Sequence, residues 1–355
     1  MKRPLERPGR VVVLLSALLA VAMVMTIAVG RQNYSPAYVM RAVLALLHLA
    51  DPLPSPLQTI LELRIWRALT TAGVGASLAL SGSLLQGLFR NQLAAPSLIG
   101  ITSGASLGAT CAILIAGGYA PNLVMEHAAG FGSLLIPLFG FLGAFGAVSI
   151  VALLAAPAGR ISTPTLLLFG IAVNMCTSGI FAAIQSLVLR DWEVSRSIMA
   201  WTFGTLEDRS ALHAGTVFVG LIISACAIPF VALELDLFKG GESDAQSLGV
   251  AVSRVKIVCL AAAALSAACA VAVAGQIAFV GLVVPHIVRM TAGALHRSLL
   301  PISVVAGALF LLGADLLQRA LLGEGVLQPG VLMSVIGGPF FVYLLVKHRR
   351  ELSAW

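Results

Sequence analysis

Along this 355-residue chain, apolar positions neither alternate nor trace one helical stripe. They fill whole runs of about 20 residues, separated by shorter polar stretches. Runs of that length, coiled as helix, cross a hydrocarbon layer about 30 Å thick. Backbone in lipid must satisfy its own hydrogen bonds, so spans are helices or a closed barrel. Continuous rather than alternating apolar runs exclude the barrel. The pattern predicts about ten spans, over 11–30, 65–88, 95–117, 133–155, 164–189, 213–235, 254–275, 277–293, 300–320 and 329–347. Gly281, Pro285 and His286 interrupt the eighth. The expected fold class is all-α: a polytopic membrane protein forming a single transmembrane domain over residues 1–355.

Three segments between spans carry more than a turn. Residues 31–63 form a long outer segment, in which Pro36–Ala50 reads as a short amphipathic helix before Pro52, Pro54 and Pro56 break it. Arg190–Leu212 reads as an outer loop whose Trp192 and Trp201 suit the membrane interface. Residues 236–253 form the longest inner connection and are polar. Within the spans, Gly100, Gly104 and Gly108 share a helix face, as do Ser77 and Ser81, and Gly140, Gly143 and Ala147. Small faces let helices approach closely in lipid, where apolar burial supplies little drive.

Composition agrees. The chain is 59% hydrophobic and only 10% charged, against about 25% charged in soluble domains. Its net charge of +7 would suggest nucleic acid on a soluble protein. Here it fixes topology instead. With both termini in the cytoplasm, inner segments hold 14 of the 22 basic residues, every lysine included. Met1–Arg10 followed by Val11–Val29 reads as a retained first span, because the apolar run is too long for a signal peptide. Cys111, Cys176, Cys226, Cys259 and Cys269 all fall in apolar runs without metal-ligand spacing and read as packing residues.

Catalytic chemistry is not signalled. The chain has no phosphate-binding G-x-x-x-x-G-K-[ST] loop, no H-E-x-x-H, no C-x-x-C and no nucleophile elbow. No catalytic residue, no metal ligand and no cofactor of its own is expected, and His286 reads as a packing or polar-contact histidine. A transporter driven by an ion gradient remains an alternative, but it would need ionisable groups deep in the membrane. The span centres carry almost none; Asp315 and Arg319, four apart, can pair near the outer end of the ninth span. Energy must then come from a partner, or the chain is a passive channel.

Several long motifs, in order from about residue 60 to 347, carry a resemblance. They are Arg64-Ile65-Trp66-Arg67, the stretch Ala79 to Asn91, Gly100 to Gly108, Gly240 to Val250, Gly275 to Arg289, and Gly337-Gly338-Pro339-Phe340-Phe341. The chain resembles the FecCD-like family of ABC importer permeases for iron-siderophore complexes, haem and cobalamin. Trp66 replaces the family's usual proline, and Gln92 and Ala95 depart from its inner N-P-L-A-D-P loop.

The resemblance implies a ten-span permease in a bacterial inner membrane, working as a homodimer. Two cytoplasmic ATPase subunits would use ATP and magnesium, and a periplasmic binding protein would deliver an iron complex or cobalamin. It implies docking of the binding protein on Arg64, Arg67 and Arg319, where arginine–carboxylate pairs orient as well as attract. It implies coupling to the ATPase through Gly240, Gly241, Glu242, Asp244, Ala245, Leu248 and Gly249. An inner gate is expected near Asn91, Gln92 and Leu93, and Asn174 and Gln185 are candidates for the substrate pathway.

Overall fold

The computed structural model describes residues 8–30, 32–116, 134–156, 162–323 and 327–347; Lys2, Arg3, Arg7, Arg31, Arg160, Arg349 and Arg350, used above for topology, lie outside these. Among the described residues the secondary structure is helical, and no strand occurs. The helices are α1 (Pro8–Ala28), α2 (Pro36–Leu46), α3 (Ser55–Leu88), α4 (Ile101–Ala116), α5 (Leu135–Leu154), α6 (Thr163–Leu187) and α7 (Trp192–Thr202). They continue with α8 (Ala211–Ala225), α9 (Ile228–Leu237), α10 (Glu242–Ser247), α11 (Val252–Ala274), α12 (Val280–Ala292), α13 (His296–Leu322) and α14 (Pro329–Lys347). Six are long and apolar enough to cross a membrane. The bent pair α8–α9 adds a seventh span, and α4, α12 and α14 are shorter apolar helices.

Prolines account for the main differences from the sequence reading. Helix α3 starts at Ser55, not near residue 65, with Pro56 inside its first turn. Proline there loses no hydrogen bond, because the first N–H groups of a helix have no intrahelical acceptor. Pro56 therefore opens α3 instead of breaking the chain, and Arg64 and Arg67 lie well inside a helix of 34 residues. The sixth predicted span is two helices bent by 52°. Pro229, near the start of α9, cannot donate to the helix before it. Residues 190–212 are likewise not a plain loop. Asp191 caps α7 by accepting the Val194 N–H at 3.1 Å. Trp192 is exposed, but Trp201 is buried and does not face the interface.

Helix α3 is the axis of the bundle. Its most apolar stretch is 94% buried, that of α11 is 78% buried, and that of α6 only 6%. Small residues allow the crossings. A Cβ on Gly75 would stand 2.2 Å from the Gly307 carbonyl, and one on Gly104 2.3 Å from the Gly143 carbonyl. Backbone thus meets backbone between α3 and α13 and between α4 and α5. Gly100 is not part of the α4 stripe; it turns the chain at φ 86°, after the 3-10 turn Pro96–Ile99. Serines join α3 to α11: Ser81 Oγ donates to Ala263 O at 2.7 Å, and Ser266 Oγ to Ser77 O at 3.0 Å. Cys259 and Cys269 are buried as expected, whereas Cys176 and Cys226 are exposed on the bundle surface.

Candidate functional site

The polar groups that the sequence singles out gather at the two ends of the bundle. At the outer end Asp315 of α13 is the hub. Its Oδ1 accepts from Arg67 Nη2 of α3 at 2.8 Å, and its Oδ2 from Arg319 Nε, one turn on, at 3.0 Å. Arg319 is buried; its guanidinium also donates to Thr26 O and Val29 O at 3.2 Å. Arg64 donates to Ile27 O at 3.2 Å and to Gln32 O at 3.0 Å, and stands over the Tyr34 ring at 5.2 Å. Helix α1 has no basic residue in its last turn. Two arginines from other helices therefore satisfy its last carbonyls and face the negative end of its dipole. Arg67 also reaches toward Glu207, 3.9 Å away and half-exposed.

At the inner end, α10 stands out from the bundle between two glycines of positive φ, Gly241 at 123° and Gly249 at 87°. Both conformations suit glycine because at positive φ a Cβ crowds its own backbone. Ala245 is fully buried and fixes the helix to the body, while Asp244 and the apolar Leu248 point to solvent, Leu248 at 68% exposure. Gly240 ends a 3-10 turn anchored by the buried Phe238. Glu242 opens α10. Its Oε2 accepts from Lys256 Nζ of α11 at 2.7 Å, and its Oε1 from Thr163 Oγ1 of α6 at 3.2 Å. Lys256 is 2% exposed, so this carboxylate neutralises a buried ammonium.

The loop expected at the inner gate is an Asx turn: Asn91 Oδ1 accepts the Leu93 N–H at 2.8 Å, while Asn91 and Gln92 are exposed. Asn174, expected along the pathway, crosslinks neighbouring elements. Its Nδ2 donates to Ser97 O at 2.8 Å, and its Oδ1 accepts from Ser103 Oγ at 2.6 Å. Gln185 lies half-buried near the outer end of α6.

Sequence reasoning missed three partnerships. Arg289 Nη1 donates to Gln86 Oε1 at 3.0 Å. Asp236 accepts the backbone N–H of His296 at 3.0 Å, capping α13, and pairs with Lys239 at 2.9 Å. Lys256 and Thr163 meet on Glu242. Lys256 is legible only as one of the basic residues of the inner segments. Thr163, 79 positions from Glu242, offered no signal.

Comparison with known proteins gives a consistent set of matches. The model of the FecCD transport family matches residues 18–347. The cobalamin import system permease protein BtuC of Halobacterium salinarum is 38% identical over 302 residues, 85% of this chain and 76% of that protein. The hemin transport system permease protein HmuU of Yersinia pestis is 36% identical over 296 residues, 82% of this chain and 84% of that one. A solved structure, an inward-facing conformation of a metal-chelate type ABC transporter, superposes with a TM-score of 0.77 at 29% identity. That match covers 96% of this chain and 99% of the other.

Proposed function

Because the chain belongs to the FecCD transport family, we propose that it is the membrane permease of a binding-protein-dependent ABC importer. Its cargo is an iron complex, a ferric siderophore or haem, and its home is the bacterial inner membrane. The hemin permease among its relatives and the metal-chelate transporter of the same shape support that cargo. The observation that carries the reading is α10, a short helix fixed to the bundle by Ala245 and offering Leu248 to solvent. An exposed apolar tip one turn beyond the exposed Asp244 suits a cytoplasmic ATPase, which supplies the phosphate-binding loop that this sequence lacks.

In this reading two copies enclose the cargo, and each binds one ATPase subunit. The broad exposed face of α6 supports a second copy alongside it. A periplasmic binding protein docks at the outer end, where Arg64 and Arg67 offer positive charge and Arg319 holds Asp315 behind them. ATP binding and hydrolysis in the partner shift α10, and the spans tilt between outward and inward access. Asn91, Gln92 and Leu93 lie in the exposed turn that follows α3, where an inner gate would close.

The test is uptake into liposomes containing this chain with its cognate ATPase and binding protein. ATP-dependent accumulation of haem or a ferric siderophore is the expected result. The cobalamin permease at 38% identity supports a second reading, and accumulation of cobalamin alone would select it. Uptake that persists without the ATPase and collapses with an uncoupler would overturn both in favour of an ion-driven transporter.

A further inference from the structure

Helix α10 touches the rest of the bundle in two chemically different ways. Its apolar side is buried through Ala245. Among the described residues, its polar attachment is the carboxylate of Glu242, divided between two helices with contrasting surroundings. Helix α11, which carries Lys256, is among the most buried elements of the fold, whereas α6, which begins at Thr163, is the least buried of the long spans. The Lys256 ammonium has almost no access to water and holds the carboxylate firmly, because a buried charge separated from its counter-ion is strongly disfavoured. The Thr163 hydroxyl, an uncharged donor, makes a longer bond to the second oxygen, 3.2 Å against 2.7 Å.

Farther along, α6 is pinned where Gly170 packs on the Leu98 carbonyl and Asn174 bonds the Pro96–Ile99 turn. Within its own subunit α6 is held by those contacts and by its neighbours α4 and α5, and it buries far less of its surface than α11.

We propose that Glu242 links the stroke of α10 to the inner end of α6, with Lys256 as the fixed pivot and Thr163 as the point moved. When α10 is displaced by the motor that binds it, the carboxylate swings about the Lys256 ammonium and draws the first turn of α6 with it. Glu242, Lys256 and Thr163 are thus positioning residues for transport, distinct from the exposed Leu248 and Asp244 that face the motor. The proposal rests on the importer reading above.

The experiment compares uptake per ATP hydrolysed in liposomes holding the assembled importer, as wild type and as Thr163→Val, Thr163→Ser, Glu242→Gln and Lys256→Met. Wild type comes first: without ATP-driven uptake, the importer reading fails and takes this role with it. With wild type active, Thr163→Val and Glu242→Gln should still copurify with the ATPase and hydrolyse ATP, while uptake per ATP falls about tenfold. Thr163→Ser, which keeps the hydroxyl, should restore the wild-type ratio. Unchanged uptake per ATP in Thr163→Val would overturn the proposal while leaving the importer reading intact. So would a parallel loss of hydrolysis and uptake, since that marks a contact that only supports assembly. If Glu242→Gln or Lys256→Met does not assemble, Thr163→Val, which leaves the ion pair in place, decides the matter alone.

Discussion

Gln86 of α3 donates its side-chain amide to the carbonyl of Gly281 in α12, at 3.4 Å. That carbonyl lacks its normal helical donor, because the residue four positions on is Pro285, which has no N–H. A bare carbonyl inside an apolar bundle is costly, and a neighbouring helix makes up the loss. Arg289, one turn beyond Pro285, holds the other end of the same amide at 3.0 Å.

Gln86→Ala should therefore lower stability by roughly 1–3 kcal/mol, since it strands both the Gly281 carbonyl and the Arg289 guanidinium. Pro285→Ala restores a backbone donor to Gly281. In combination the two substitutions should cost less than the sum of their separate effects. Thermal unfolding of the four proteins in detergent checks this; strict additivity would mean that the two residues do not serve one carbonyl.

Asp315 is fully buried between Arg67 and Arg319. Asp315→Asn removes the buried carboxylate charge that Arg67 and Arg319 share. Stability should fall by about 3–5 kcal/mol, as when one partner of a buried pair is lost. Because Arg319 also holds Thr26 and Val29, amide exchange should rise at the end of α1 before the bundle core loosens. Exchange rising uniformly would contradict that order.

Glu207 stands half-exposed, 3.9 Å from Arg67, on the end proposed to receive the binding protein. It occupies part of the field that an acidic partner would use. Glu207→Gln should strengthen docking by about 2- to 5-fold at low salt, and the gain should shrink as salt screens it. Reversing Arg64 and Arg67 to Glu should weaken docking. Misfolding can mimic that loss but not the gain, so titration of the binding protein against Glu207→Gln is the sharper measurement.

Two glycines three apart on α5 should behave oppositely. A Cβ on Gly143 would lie 2.2 Å from the Gly104 carbonyl, while one on Gly146 would meet nothing within 4 Å. Gly143→Ala should cost about 1–3 kcal/mol by forcing α4 away. Gly146→Ala should be neutral or slightly stabilising, since alanine favours helix. Equal melting temperatures for the two variants would refute the close crossing.

Much of this architecture is legible from the letters, and the reason is local. Whether a run of 20 residues spans a membrane depends on its own composition, so the apolar runs, the basic bias of the inner segments and the ordered motifs place the helices directly. Proline is less legible: Pro56 reads as a breaker but opens α3, and Pro229 lies at the bend of the sixth span, because one residue type opens, bends or ends a helix according to its place in the turn. Asp315 and Arg319, four apart, could be paired on paper because one helix brings them together.

The remaining partnerships could not be read in that way. Arg67 meets Asp315 across 248 positions, Gln86 meets Arg289 across 203, and Glu242 meets Thr163 across 79. Asn174, a candidate for the pathway, bonds the Pro96–Ile99 turn and Ser103 of α4, contacts that its own helix could not show. Hydropathy says that a segment lies in lipid, but not which face meets which neighbour. In lipid that choice comes from close backbone packing and from the need of each buried polar group for a partner. Those demands are met only when the bundle closes, so the linkage of α10 to α6 and α11 belongs to the assembled helices and not to any segment of the chain.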